Sequence, residues 1–210
     1  MKCRDARTNM LKVGLTGGIA SGKSTVASLL RDQDCMVLEM DPLGHELLGP
    51  GQSPYDEVVR EFGKSILGLG DAIDRSKLGA IVFADPAKRA RLNQILHPRI
   101  LDVVLKWFAA LDRPGGPEFA VVEAALIVES GFHKQLDNLI VCWCTPAQQM
   151  ERLIARGLTR EQAQLRISSQ MPAEEKRQLA DEVVDCSGSM EETERQVKNL
   201  VEHLKQLSAP

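Results

Sequence analysis

The chain has 210 residues, 43% of them hydrophobic and 26% charged, a globular balance that excludes intrinsic disorder as its main state. Its net charge of −3 and 4% aromatic content leave it without the basic surface of a duplex binder or the stacking platforms of a single-strand binder. No apolar run approaches the roughly 20 residues of a membrane helix, and residues 1–10 lack the apolar stretch of a secretory signal.

In chain order, Lys12–Thr16 reads as a buried strand, Gly17-Gly18 as a turn, and Val26–Leu30 as the apolar face of a helix. Cys35–Glu39 predicts a second strand, with a helix opening at Asp41-Pro42 and closing at Gly49-Pro50-Gly51. From Tyr55 to Leu111 the spacing is helical throughout, and the His97-Pro98 pair reads as a junction between two amphipathic helices. Residues 113–117 form a Pro/Gly linker. Strands follow at Phe119–Val122 and Asn138–Cys144, then helices over 146–156 and 159–170, a short strand over 182–185 and a closing helix over 190–207.

Strands alternating with helices predict an α/β fold with a parallel sheet of five strands and helices on both faces. The helical block over 49–112 reads as an insertion at the sheet's carboxyl edge, where open α/β folds bind ligands. The five cysteines are Cys3, Cys35, Cys142, Cys144 and Cys186. An odd number in a chain of this size points away from a disulfide framework and towards a reducing compartment. Cys142 and Cys144 lie two apart and face one side of a strand, with no second pair to complete a zinc site.

Gly17-Gly18-Ile19-Ala20-Ser21-Gly22-Lys23-Ser24 matches G-x-x-x-x-G-K-[ST]. Glycines let the backbone turn its N–H groups inward around an anion, and the next helix adds its N-terminal dipole. Lys23 then reaches the β and γ phosphates and the Ser24 hydroxyl faces Mg²⁺. Gly17 to Thr25 is therefore the candidate nucleotide cradle. The Asn-Lys-x-Asp segment of a guanine-specific GTPase is absent from the sequence.

The stretch from Gly14 to Val26 resembles the opening of the dephospho-coenzyme A kinases. Later segments resemble the same family in the same order: Asp74–Leu78, Leu92–Pro98, Gln149–Arg156, Arg166–Gln170 and Ala180–Asp185 with Ser187-Gly188. The resemblance runs from about residue 11 to residue 204. It implies a three-layer P-loop kinase fold with a core over 11–48, 113–145 and 180–208, an acceptor-binding insertion over 49–112 and a lid over 146–179. Residues 1–9 are then an extension dispensable for activity. The implied reaction moves the γ-phosphoryl group of ATP to the ribose 3′-hydroxyl of dephospho-coenzyme A, with Mg²⁺ in the cytoplasm. The alternatives are a nucleoside or nucleotide monophosphate kinase and a P-loop module without turnover. A monomer is expected, with an oligomer as the alternative.

Roles follow for single residues. Asp41, just past the second strand, accepts or orients the acceptor hydroxyl proton; its plain alternative is a helix N-cap. Arg152 and Arg156, four apart on one helical face, stabilise the transferring group. Arg75, His97 and Glu129 are acceptor-binding candidates, with a helix-start feature, a structural cap or core residue and a helix-start Glu as their plain alternatives; Glu123, after the apolar run of the third strand, is placed to hold Mg²⁺ through water beside Ser24. The chain departs from the family pattern at Glu39-Met40, at His45 where an Arg is common, at Ala125 and Val128, and at Cys186 where an Asn often reads adenine. His45 remains an acceptor-binding candidate with a pH-dependent charge; Cys186, a weak hydrogen-bonding group, and Ser187 remain ATP-binding candidates, with base recognition falling to the backbone around Ser187 or becoming looser.

The charge is unevenly spread. Residues 75–106 hold seven basic and two acidic side chains, and residues 181–202 hold two basic and seven acidic. The basic stretch lies in the insertion assigned to an anionic acceptor.

Overall fold

A computed structural model describes residues 10–208; the expected extension over 1–9, with Cys3, lies outside the described residues. Five strands form one fully parallel sheet in the order β2-β3-β1-β4-β5. They are β1 (Leu11–Gly17), β2 (Met36–Glu39), β3 (Phe119–Glu123), β4 (Asn138–Trp143) and β5 (Glu182–Asp185). The helices are α1 (Lys23–Asp32), α2 (Met40–Glu46), α3 (Tyr55–Phe62), α4 (Arg75–Ala84), α5 (Pro86–Leu111), α6 (Pro146–Ala155), α7 (Arg160–Ser168), α8 (Ala173–Gln178) and α9 (Met190–Ser208). The expected α/β class, five parallel strands and flanking helices are all present. Among the described residues, no helix is long and apolar enough to cross a membrane.

The chain divides into two compact units. The first holds the described residues up to Glu39 and from Phe108 onward. β1 is buried on both faces and mostly apolar, and its buried Thr16 hydroxyl donates to the Ala125 carbonyl. Leu11, Val13 and Leu15 point to one face and pack with α1 (Val26, Leu30) and α9 (Val197, Leu200, Val201, Leu204). Gly14 points to the other face, where an added Cβ would press on the side-chain ends of Leu136 and Leu139 and force them to shift. Buried Lys176 of α8 bonds the Ala125 carbonyl oxygen in that segment.

The second unit is Met40–Trp107, helical, with its own core of Leu48, Val58, Ile66, Ile73, Leu78, Ile95 and Leu96. Its start differs from the expected boundary at residue 49: α2 belongs to it, so the unit begins immediately after β2. A further difference is at His97-Pro98. The expected junction is a single 26-residue helix, α5, with Pro98 inside it. Proline removes one intrahelical bond. The apolar spacing on either side keeps the helix continuous across that gap.

Candidate active site

The first unit builds an anion cradle from β1 and α1. β1 ends at Gly17 and α1 begins at Lys23. Gly22 has φ of +101°, and a Cβ there would meet the Cys186 side chain at 2.8–2.9 Å, so both conformation and space demand glycine. Ala20 also sits in the left-handed region, at φ +59°, which costs a non-glycine residue energy and marks the turn as held by its surroundings. No side chain caps the first turn of α1, so its N-terminal dipole acts on whatever fills the turn. The buried Ser21 hydroxyl finds no partner among the described residues.

Polar contacts from distant segments hold this turn. Gln149 Nε2 donates to the Ile19 carbonyl at 2.9 Å, and the Ile19 N–H donates to Gln170 Oε1 at 2.8 Å. Arg152 donates through Nη1 to the Ala20 carbonyl at 3.1 Å and through Nη2 to the Cys186 carbonyl at 2.7 Å. One guanidinium thus joins the cradle to the loop after β5. Beside it is a cavity of about 360 Å³ lined by Thr25, Arg152, Arg156, Cys186, Met190 and Thr193 among others. Both candidate arginines of α6 and its C-terminus line this cavity, as their four-residue spacing predicts.

Glu123 is the last residue of β3 and only 6% exposed. Its carboxylate pairs directly with Lys23 Nζ. A buried carboxylate costs several kcal/mol unless it is paired, and Lys23 supplies that partner. The hard oxygens of Ser24 and Glu123 are the donor types Mg²⁺ prefers, so the residues fit that ion arriving with a nucleotide.

Other expected residues take different places. Cys186 is buried; Cys142 hydrogen-bonds its thiol and holds its pKa below the ordinary value, against burial, with Arg152 assisting. Burial pushes the Cys142 and Cys144 thiols up. Cys35, Cys142, Cys144 and Cys186 are all free thiols. Ser187 does not line the cavity: its N–H bonds Asp185 and its carbonyl accepts from Gln148. Glu129 is engaged within the first unit, where it pairs with Lys176 Nζ at 2.9 Å and accepts the Met171 N–H at 3.1 Å. Glu39, one of the departures, pairs with Arg31 at 2.6 Å.

The second unit carries a cavity of about 530 Å³. Its polar rim is Asp41, His45, Arg75 and Ser76, and its wall includes Leu92 and Leu96 of α5. Three expected acceptor residues therefore line one cavity. Asp41 and His45 are one turn apart on α2, and Arg75 opens α4, whose N-cap is Asp74. Arg75 Nη2 lies 2.9 Å from each ring nitrogen of His45. Burial and then the Arg75 charge lower the His45 pKa, and Asp41 pulls it the other way. His97 is not among the residues lining this cavity; partial burial lowers its pKa.

Gln149, Gln170 and Lys176 carry contacts that no local pattern announces. Gln170 stands 151 positions from its partner Ile19, and fully buried Lys176 reads in sequence as one charge in a polar run.

Comparison with known proteins adds an independent finding. The family model described as dephospho-CoA kinase matches residues 11–192. A dephospho-CoA kinase of Symbiobacterium thermophilum is 41% identical over 187 residues, 89% of this chain and 78% of its own length. One from Geobacter sulfurreducens is 42% identical over 189 residues, 90% of this chain and 95% of the relative. The solved structure of a dephospho-CoA kinase from Campylobacter jejuni superposes with a TM-score of 0.71 at 25% identity, covering 94% of this chain and 98% of that one.

Proposed function

Because the chain belongs to the dephospho-CoA kinase family, we propose that it transfers the γ-phosphoryl group of ATP to the ribose 3′-hydroxyl of dephospho-coenzyme A. The products are coenzyme A and ADP, and the place of the reaction is the cytoplasm. The observation that carries this reading is the second cavity. It offers one carboxylate, Asp41, beside Arg75 and His45, with a leucine wall behind them. That set suits an acceptor with a reacting hydroxyl, an anionic linkage and a long organic arm.

Phosphoryl transfer needs position and charge stabilisation more than covalent help from the protein. The cradle of Gly17–Thr25 holds the donor phosphates, and Lys23 exchanges its bond to Glu123 for one to the γ-phosphoryl oxygens. Arg152 and Arg156 face the donor cavity and offset charge on the transferring group. Mg²⁺ bound with ATP, near Ser24 and Glu123, would neutralise phosphate charge. Asp41 orients the acceptor hydroxyl and accepts its proton as the new bond forms.

An acceptor screen with ATP and Mg²⁺, read by ADP release, tests the reading. Dephospho-coenzyme A is expected to be strongly preferred over AMP, dTMP and adenosine. A flat response to it, with AMP active, overturns the proposal and favours a nucleotide monophosphate kinase.

A further inference from the structure

We infer that the acceptor binds together with a proton, and that His45 on the wall of the helical unit's cavity is the group that takes it. This rests on the acceptor assignment just made and adds a coupling between binding and pH.

The starting point is the contact between His45 and Arg75. Arg75 Nη2 is 2.9 Å from both His45 ring nitrogens. A guanidinium charge this close to the ring disfavours a second positive charge on it. Burial acts in the same direction, and the two hold the His45 pKa below the ordinary value. Asp41, on the same helix, is the charged group that opposes them. α4 adds Ser76 to the cavity and α5 adds Leu92 and Leu96, all uncharged.

An acceptor carrying a pyrophosphate changes each of these terms. Its oxygens match the planar fork of Arg75, which forms charge-assisted bonds to them in place of the ring. The ring loses a cationic neighbour and gains an anionic one. Both changes favour the imidazolium, which can then donate to the anion. The complex thus holds more protons than the free protein. By linkage, affinity rises as pH falls between the two His45 pKa values, with a limiting slope of about tenfold per pH unit. A pyrophosphate diester is fully ionised from pH 6 to 8 and a thiol is protonated there, so the acceptor itself takes up no proton in this range.

Titration calorimetry of dephospho-coenzyme A into the whole protein, without ATP, tests this. Heats measured at pH 7.0 in two phosphate-free buffers of different ionisation enthalpy give the number of protons exchanged. Net uptake of up to one proton per acceptor is expected. In turnover, the KM for the acceptor should fall from pH 7.5 to pH 6.5, by up to about tenfold, while that for ATP stays level. His45→Asn should abolish the uptake and flatten the acceptor KM profile. His45→Arg should bind acceptor with no pH dependence in this range. Binding of the acceptor to the unaltered protein without proton uptake overturns the inference and leaves the family reading intact, and this measurement needs no variant to fold. Uptake that survives in His45→Asn also overturns it. Absence of both binding and turnover with dephospho-coenzyme A removes the acceptor assignment and this inference together.

Discussion

The two cavities solve different recognition problems with different materials. Around the phosphate cradle, side chains are spent on the protein's own backbone. Gln149 and Gln170 grip the Ile19 peptide, and Arg152 binds two carbonyls. The ligand there is left, on the proposed reading, to backbone N–H groups, a helix dipole, Lys23 and the arginines that line the cavity. In the helical unit the balance is reversed. The rim groups Asp41, His45 and Arg75 line a cavity backed by leucines, and Arg75 contacts His45 directly. A fixed, multiply charged group is held best by a rigid frame. A long acceptor with few charges is held by shape and a small adjustable polar set.

The difference can be broken with single substitutions. The largest effects belong to chemistry. Asp41→Asn should lower kcat about 10³-fold with the KM for ATP unchanged. Lys23→Ala should lower kcat by a similar factor and also weaken ATP binding, because it acts on both donor and transition state. Steady-state kinetics separates the two, and an Asp41→Asn protein with near-normal kcat would remove the assigned role.

Next comes stability of the first unit. Lys176 is fully buried and tied to Glu129 and the Ala125 carbonyl. Lys176→Met leaves Glu129 unpaired, though with partial access to water. A loss of about 2 kcal/mol is expected, below the range for a fully buried pair. In a chain of this size that is a fall in Tm of about 4–8 °C by calorimetry. Melting at the original temperature would show that the pair is not needed.

Smaller still are the effects that test the frame against the rim. Gln170→Leu leaves the Ile19 N–H without its acceptor and should raise the KM for ATP about tenfold, with that for the acceptor unchanged. Arg75→Lys keeps the charge and loses the fork. It should raise the KM for the acceptor about fivefold and leave ATP alone. If either substitution moves both constants equally, the division between the two cavities is not functional.

Legibility in the sequence followed contiguity. β1, the glycine turn and α1 occupy one run of residues, so strand, cradle and Lys23 could be read together. The rim of the second cavity was partly readable because Asp41 stands just past the second strand, while His45 and Arg75 came through family resemblance. The Pro98 junction failed because a proline was given more weight than the apolar spacing that continues past it in α5. α8 was missed because its six residues, AEEKRQ, carry no apolar period. Lys176 could not have been placed: its partner Glu129 is 47 positions away in another segment. Gln149 and Gln170 fall in segments that resemble the family, but their contacts with Ile19, more than a hundred residues away, could not be read from either segment.

The pair of Lys23 with Glu123 also sets an entry condition. Before a donor arrives, the lysine's charge is already answered by a carboxylate that is 6% exposed. A small anion that draws Lys23 away weakens that carboxylate's pairing, a cost that chloride or sulfate, with few other contacts, has little means to offset. A triphosphate can, because its contacts extend along the whole turn and the start of α1. The resting ion pair therefore acts as a threshold, keeping a strongly attractive cradle from filling with whatever anions are abundant.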